Sequence, residues 1–96
     1  MIYTLTLNPA IDHIVRVDKL ELGETNRMQE ESISAGGKGI NVSKILKNLD
    51  EESIALGYIS GFTGKELEKI INSEGISSYF IHVEKGSTRI NTKVKN

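Results

Sequence analysis

The sequence predicts an α/β fold in which a parallel β-sheet alternates with helices and carries a smaller, more polar β flap. Three observations predict it. Short apolar, β-branched runs alternate with two segments of helical periodicity, the order expected of βαβ crossovers. A glycine-rich segment, Ala35-Gly36-Gly37-Lys38-Gly39, leads directly into the first helical segment. Residues 12–34 and 88–95 show a different, half-polar alternation that suits strands with one wet face.

The elements follow in order. Residues 2–7 are apolar with Thr4 and Thr6 interleaved, and Asn8-Pro9 stops them, as for a parallel strand buried on both faces. Residues 12–18 mix Ile14, Val15 and Val17 with His13 and Arg16 and read as a strand. A loop is expected over 19–26, with Gly23 inside it, and an exposed strand over 27–34. Residues 40–49 place Val42, Ile45, Leu46 and Leu49 at helical spacing, which predicts an amphipathic helix with that stripe inward. Residues 53–60 have strand length and composition. Thr63 and Glu66 have capping-box spacing ahead of Leu67, Ile70 and Ile71, and Gly75 suits a left-handed C-terminal cap. A strand over 78–83, a turn at Lys85-Gly86 and a last strand over 88–95 complete the chain, the last with Ile90, Thr92 and Val94 on one face.

Composition excludes several function classes. The 96 residues carry a net charge of -1 with both signs interspersed, which is no electrostatic footprint for a nucleic acid. There is no cysteine, and His13 and His82 lack any ligand spacing, so neither a disulfide framework nor a metal site is expected. No apolar run is long enough for a membrane span. Residues 1–7 lack the basic start and cleavage site of a signal peptide, which makes the cytoplasm the expected compartment. A three-stranded parallel core needs helices on both faces, yet only two helices are available, and residues 93–96 end while their alternation is still running. The expectation is a fragment of a larger domain, poorly soluble by itself.

Several residues could carry chemistry. Gly36, Gly37, Lys38 and Gly39 sit at a helix N-terminus, where free amides and the helix dipole favour an anion. The same residues would serve a tight turn with a solvated lysine, and local pattern leaves both readings open. The segment is neither a P-loop nor a dinucleotide fingerprint: the Gly-Lys-Ser/Thr ending is absent, and Val42 stands where a third glycine belongs. Asp12 follows the first strand, where ligands of open α/β sheets bind, or else it closes an Asx turn. Asn41 lies in the first helical turn. Arg89 is suited to bidentate phosphate recognition, and Arg16 and Arg27 share that property; a solvated strand residue is the plainer alternative for each. The glycines of Ser60-Gly61-Phe62-Thr63-Gly64 need only a tight turn.

Four segments together resemble the ribokinase-like (PfkB) carbohydrate kinases, and in the order that family has them. They are Thr6-Leu7-Asn8-Pro9-Ala10-Ile11-Asp12, Ala35-Gly36-Gly37-Lys38-Gly39-Ile40-Asn41-Val42-Ser43, Gly57-Tyr58-Ile59-Ser60-Gly61-Phe62-Thr63-Gly64 and Thr88-Arg89-Ile90-Asn91. The match departs at Asp50 and Ser60, where the family often has glycine. The resemblance implies the N-terminal part of a Rossmann-like ribokinase fold with a β-sheet lid: core 1–11 and 35–83, lid about 12–34 and 84–96. It implies that Asp12 holds sugar hydroxyls, that Gly36 to Gly39 and Asn41 line the sugar site, and that Arg89 takes the substrate phosphate. Lys38 would add positive potential, and Arg27 would reach a neighbouring subunit's site. The implied reaction transfers the γ-phosphoryl of ATP, with Mg2+, to fructose 1-phosphate or a related ketohexose phosphate; tagatose 6-phosphate is the alternative acceptor, and a non-catalytic sugar-phosphate-binding module a further one. A homodimer through the lid is implied too. The family's catalytic aspartate lies in a Gly-x-Gly-Asp motif, which is absent from these residues and expected downstream.

Overall fold

Residues Ile2–Thr6 form β1, Ala10–Val17 β2, Met28–Gly36 β3, Ser53–Ser60 β4, Ser77–Val83 β5 and Arg89–Lys95 β6; the helices are Lys38–Asn48 (α1) and Gly61–Ser73 (α2). This computed structural model describes residues 1–17, 22–23 and 27–95. Most of the loop expected over 19–26 lies outside the described residues.

The strands separate into two sheets. One is wholly parallel in the order β1-β4-β5, and the other runs β3-β2-β6, antiparallel on one side of β2 and parallel on the other. This is the expected arrangement of a parallel α/β core with a β lid. The parallel sheet follows from the crossovers: β1 and β4 are joined through α1, and β4 and β5 through α2. Ile11 and Ala35, at the base of the lid, join the core with Ile40, Ala55, Ile59, Leu67, Ile71, Ile76 and Phe80. Farther out on the lid, Val15 and Val17 of β2 are buried as well.

Both helices cover the same face of the parallel sheet, the one bearing Thr4, Thr6, Ala55, Ile59 and Phe80. On the other face lie Tyr3, Leu5, Leu56, Tyr58, Tyr79 and Ile81, with Tyr3 62%, Leu5 60% and Tyr79 77% exposed.

Three local expectations need correction. Ala35 and Gly36 are strand residues, so β3 runs into the glycine segment and only Gly37 separates it from α1. Of the expected stripe, Val42, Ile45 and Leu49 are exposed, Ile45 at 59%, and Leu46 is half-buried. The inward positions are Ile40 and Ser43. The contact with β1 is partly polar: Thr4 Oγ1 meets Ser43 Oγ at 2.7 Å, with the Ser53 hydroxyl donating to Ser43 at 3.0 Å. Those bonds pair the hydroxyls that this rotation of α1 buries, which would be costly to leave unsatisfied. Thr63 does not begin α2 either. The helix starts at Gly61, and the Thr63 hydroxyl donates elsewhere, to the Thr88 carbonyl.

Both helices end alike. In α2 the Ile76 amide donates to the Ile71 carbonyl and the Gly75 amide to Asn72, with Gly75 at φ 80. In α1 Glu51 donates to Leu46 and Asp50 to Lys47, the same Schellman pattern, but Asp50 occupies the left-handed position at φ 59. A side chain there is strained, and its carboxylate lies at the negative end of the helix dipole. Asp50→Gly is therefore expected to stabilise the full-length protein by roughly 0.5–1 kcal/mol in urea unfolding. Ser60, the other departure from the family pattern, is extended at φ -152 and needs no glycine.

Candidate functional site

The chain leaves β1 at Thr6, turns through the buried Pro9 and enters the lid at Ala10. This brings three strand ends together. Ala10 is in register with Gly36 on one side and Arg89 on the other, and Asp12 with Ser34 and Asn91. Residues in register, and residues two apart, share a face of a sheet. Asp12, Gly36, Arg89 and Asn91 thus lie on one face at the base of the lid, beside the N-terminus of α1. The opposite face at this level carries Ile11, Ala35 and Ile90.

Each side chain has a positional reason. The Asp12 carboxylate occupies the space where a side chain on Gly36 would stand, so glycine there leaves the carboxylate its place. Asn91 Nδ2 donates to Asp12 Oδ1 at 3.5 Å. Arg89 Nη2 donates to the Asn8 carbonyl at 3.5 Å, a long bond that leaves an exposed guanidinium available to an anion.

Helix α1 begins here, and its N-cap residue Gly37 offers no side chain. Thr6 substitutes for it from β1: its hydroxyl accepts from the Ile40 amide at 3.0 Å. A Cβ on Gly39 would fall 2.5 Å from Thr6 Oγ1 and 2.6 Å from the Leu5 carbonyl oxygen, so glycine permits this approach. The Lys44 ammonium donates to the Ala35 carbonyl at 2.6 Å and holds the end of β3 against the helix. The amides of Lys38 and Gly39 belong to the first helical turn and have no acceptor within the helix. They are the donors this terminus can offer to an anion or to sugar oxygens.

The sequence-predicted residues fare unequally. Asp12, Gly36, Gly37, Gly39 and Arg89 come together at the lid base. Lys38 and Asn41 stand exposed in the first turn of α1 beside them. Arg27 precedes β3 at its far end, about 30 Å along the strand from Gly36, and is not brought to this site within the chain. Thr6 and Asn91 were missed as contributors. The signal for Thr6 was a hydroxyl inside an otherwise apolar strand; for Asn91 it was the two-residue spacing from Arg89. A separate cleft of about 390 Å³, lined by Lys47, Asp50, Glu52 and Ser77 among others, lies at the N-terminal ends of the parallel strands. That is the wrong end for a ligand site of an open α/β sheet. Among the described residues no three His, Asp or Glu side chains gather as a metal ligand set.

Comparison with known proteins identifies the family. Residues 5–95 match the model of the pfkB family of carbohydrate kinases. The chain is 46% identical over 95 residues to 1-phosphofructokinase of Bacillus subtilis, covering 99% of this chain and 31% of that protein. It is 40% identical over 89 residues to tagatose-6-phosphate kinase of Staphylococcus epidermidis, covering 93% of this chain and 28% of that one. Among solved structures, a Staphylococcus aureus protein assigned as a phosphofructokinase superposes with a TM-score of 0.89 at 47% identity, over 99% of this chain and 31% of its own. The chain thus spans about a third of the length of the relatives it matches, and it belongs to the pfkB family of carbohydrate kinases.

Proposed function

We propose that these residues are the sugar-phosphate-binding portion of a 1-phosphofructokinase, which transfers the γ-phosphoryl of ATP to fructose 1-phosphate and yields ADP and fructose 1,6-bisphosphate. The observation that carries the reading is the single face shared by Asp12 and Arg89 next to the α1 N-terminus. A carboxylate that accepts from hydroxyls, a guanidinium that clamps a phosphate and an array of backbone amides match the two ends of a phosphorylated sugar. In this reading Asp12 orients the sugar, Gly36, Gly37 and Gly39 let the backbone approach it, Asn41 and Lys38 line the rim, and Arg89 binds the phosphate already present.

The 96 residues form the first part of one ribokinase-like domain, with core 1–11 and 35–83 and lid 12–34 and 84–96. ATP, Mg2+ and the catalytic aspartate belong to the remainder of the domain. Tagatose-6-phosphate kinase is the second reading, and the identity to a relative of that name supports keeping it. A coupled assay on the full-length protein with fructose 1-phosphate and tagatose 6-phosphate separates the two. Higher kcat/KM on fructose 1-phosphate is expected; equal or reversed values would remove the preference.

The lid is read as a dimer surface. Ile33, Ile90 and Val94 are exposed on the face opposite Asp12, and a cleft between that face and α2 is lined by Ile11, Ile33, Phe62 and Ile90. A second lid would bury these side chains, and Arg27, which does not reach this chain's own site, is the lid residue read as reaching the partner's. The full-length protein should sediment as a dimer, and a monomer would remove this part of the reading.

A further inference from the structure

Thr88 is 7% exposed, yet it opens a strand whose seven residues are all exposed. Each of its polar groups is taken, and all by the turn between β4 and α2. Its amide donates to the Ser60 carbonyl at 3.0 Å, its hydroxyl accepts from the Ser60 amide at 2.9 Å, and its carbonyl accepts from the Thr63 hydroxyl at 2.6 Å. The turn is shaped for this guest. A Cβ on Gly64 would come 3.0 Å from Thr88 Oγ1 and 2.9 Å from Ile59 Cβ. Gly61, at φ 64, would bring a Cβ within 3.0 Å of Ser87 Oγ and 3.2 Å of the Gly86 carbonyl. The glycines of Ser60-Gly61-Phe62-Thr63-Gly64 therefore form a socket for the segment that enters β6.

We propose that Thr88 is the positioning residue for Arg89: seated in this socket, it fixes the start of β6 against the core and so fixes where the adjoining guanidinium meets the substrate phosphate. The inference rests on the phosphate-binding role proposed for Arg89. Arg89 has little else to hold it, since its side chain makes one long bond to the Asn8 carbonyl and is otherwise exposed. Its register with Ala10 sets its height on β2, while the Thr88 bonds set how far β6 enters over the α1 terminus. A strand tied at both neighbours presents a preorganised arginine, and less of the binding free energy is lost to ordering it.

The test is a set of variants of the full-length protein assayed with fructose 1-phosphate. Thr88→Val removes the hydroxyl acceptor and strands the Ser60 amide. It is expected to raise KM by about tenfold with kcat within about twofold, because the phosphate already present does not react. Thr88→Ser is expected to restore the wild-type KM. In the Arg89→Ala background, Thr88→Val is expected to add nothing further to KM, since its effect acts through the arginine. Should Thr88→Val fail to fold, Thr63→Val removes the bond to the Thr88 carbonyl without touching Thr88 and must raise KM in the same way. An unchanged KM in the foldable variant, or a full additional rise in the Arg89→Ala background, overturns the proposal. If Arg89→Ala itself leaves KM unchanged, the phosphate-binding reading of Arg89 fails, and that outcome is separate from the first two.

Discussion

Arg89→Ala in the full-length protein is expected to lower kcat/KM for fructose 1-phosphate about 100-fold, almost wholly through KM. A charge-assisted bidentate contact to phosphate is among the stronger hydrogen bonds a side chain makes, and each factor of ten corresponds to about 1.4 kcal/mol. The contact is made to a group that is unchanged by the reaction, so ground and transition states lose it equally and kcat stays put. Arg89→Lys should recover part of the loss, since an ammonium supplies the charge without the planar fork. Steady-state kinetics check this, with the unphosphorylated sugar as a control that should not respond to the substitution. A KM within twofold of wild type would place the phosphate elsewhere.

A polypeptide made of these 96 residues alone should self-associate rather than melt as a cooperative monomer. The parallel sheet is covered by α1 and α2 on one face, and Tyr3, Leu5, Tyr58, Tyr79 and Ile81 stand open on the other. Apolar patches beyond a few hundred Å² are rare on monomers, and parallel sheets are found with both faces covered. The outward stripe of Val42, Ile45 and Leu49 on α1 adds a second such surface. Size-exclusion chromatography with light scattering should find large species, or none left in solution. A monomer with a single sharp thermal transition would contradict the expectation.

Much of this was legible in the residues. The strand and helix order held throughout because apolar period and punctuation agree at nearly every boundary, as at Ser53–Ser60 and at Gly75. The uncovered sheet face followed from counting two helices against a parallel sheet. What could not be read was rotation. In α1 it is Ser43 that turns inward, to a hydrogen bond with Thr4, 39 residues away in sequence, and no local window contains that pair. The misplaced start of α2 has the same origin. Thr63 carries the capping-box spacing, yet its hydroxyl is claimed by Thr88, 25 residues on. At the site, Asp12 and Arg89 were visible as residue types suited to a phosphosugar. Their common face depends on β2 pairing with β6, and the roles of Thr6 and Thr88 as supports depend on tertiary contacts alone.

The pairing of β2 with β6 also bears on the order in which the molecule is built. Asp12 and Asn91 are 79 residues apart in sequence, whereas β2 meets β3 through a short connection. Contacts between distant parallel strands carry the largest loop-closure cost and come late. The face that joins Asp12 to Arg89 is therefore made by one of the least local contacts in the chain. A ligand that bridges the two residues holds shut the loop that is hardest to close, so its affinity contributes directly to folding stability through mass action. For β6, ligand binding and pairing with β2 are therefore linked.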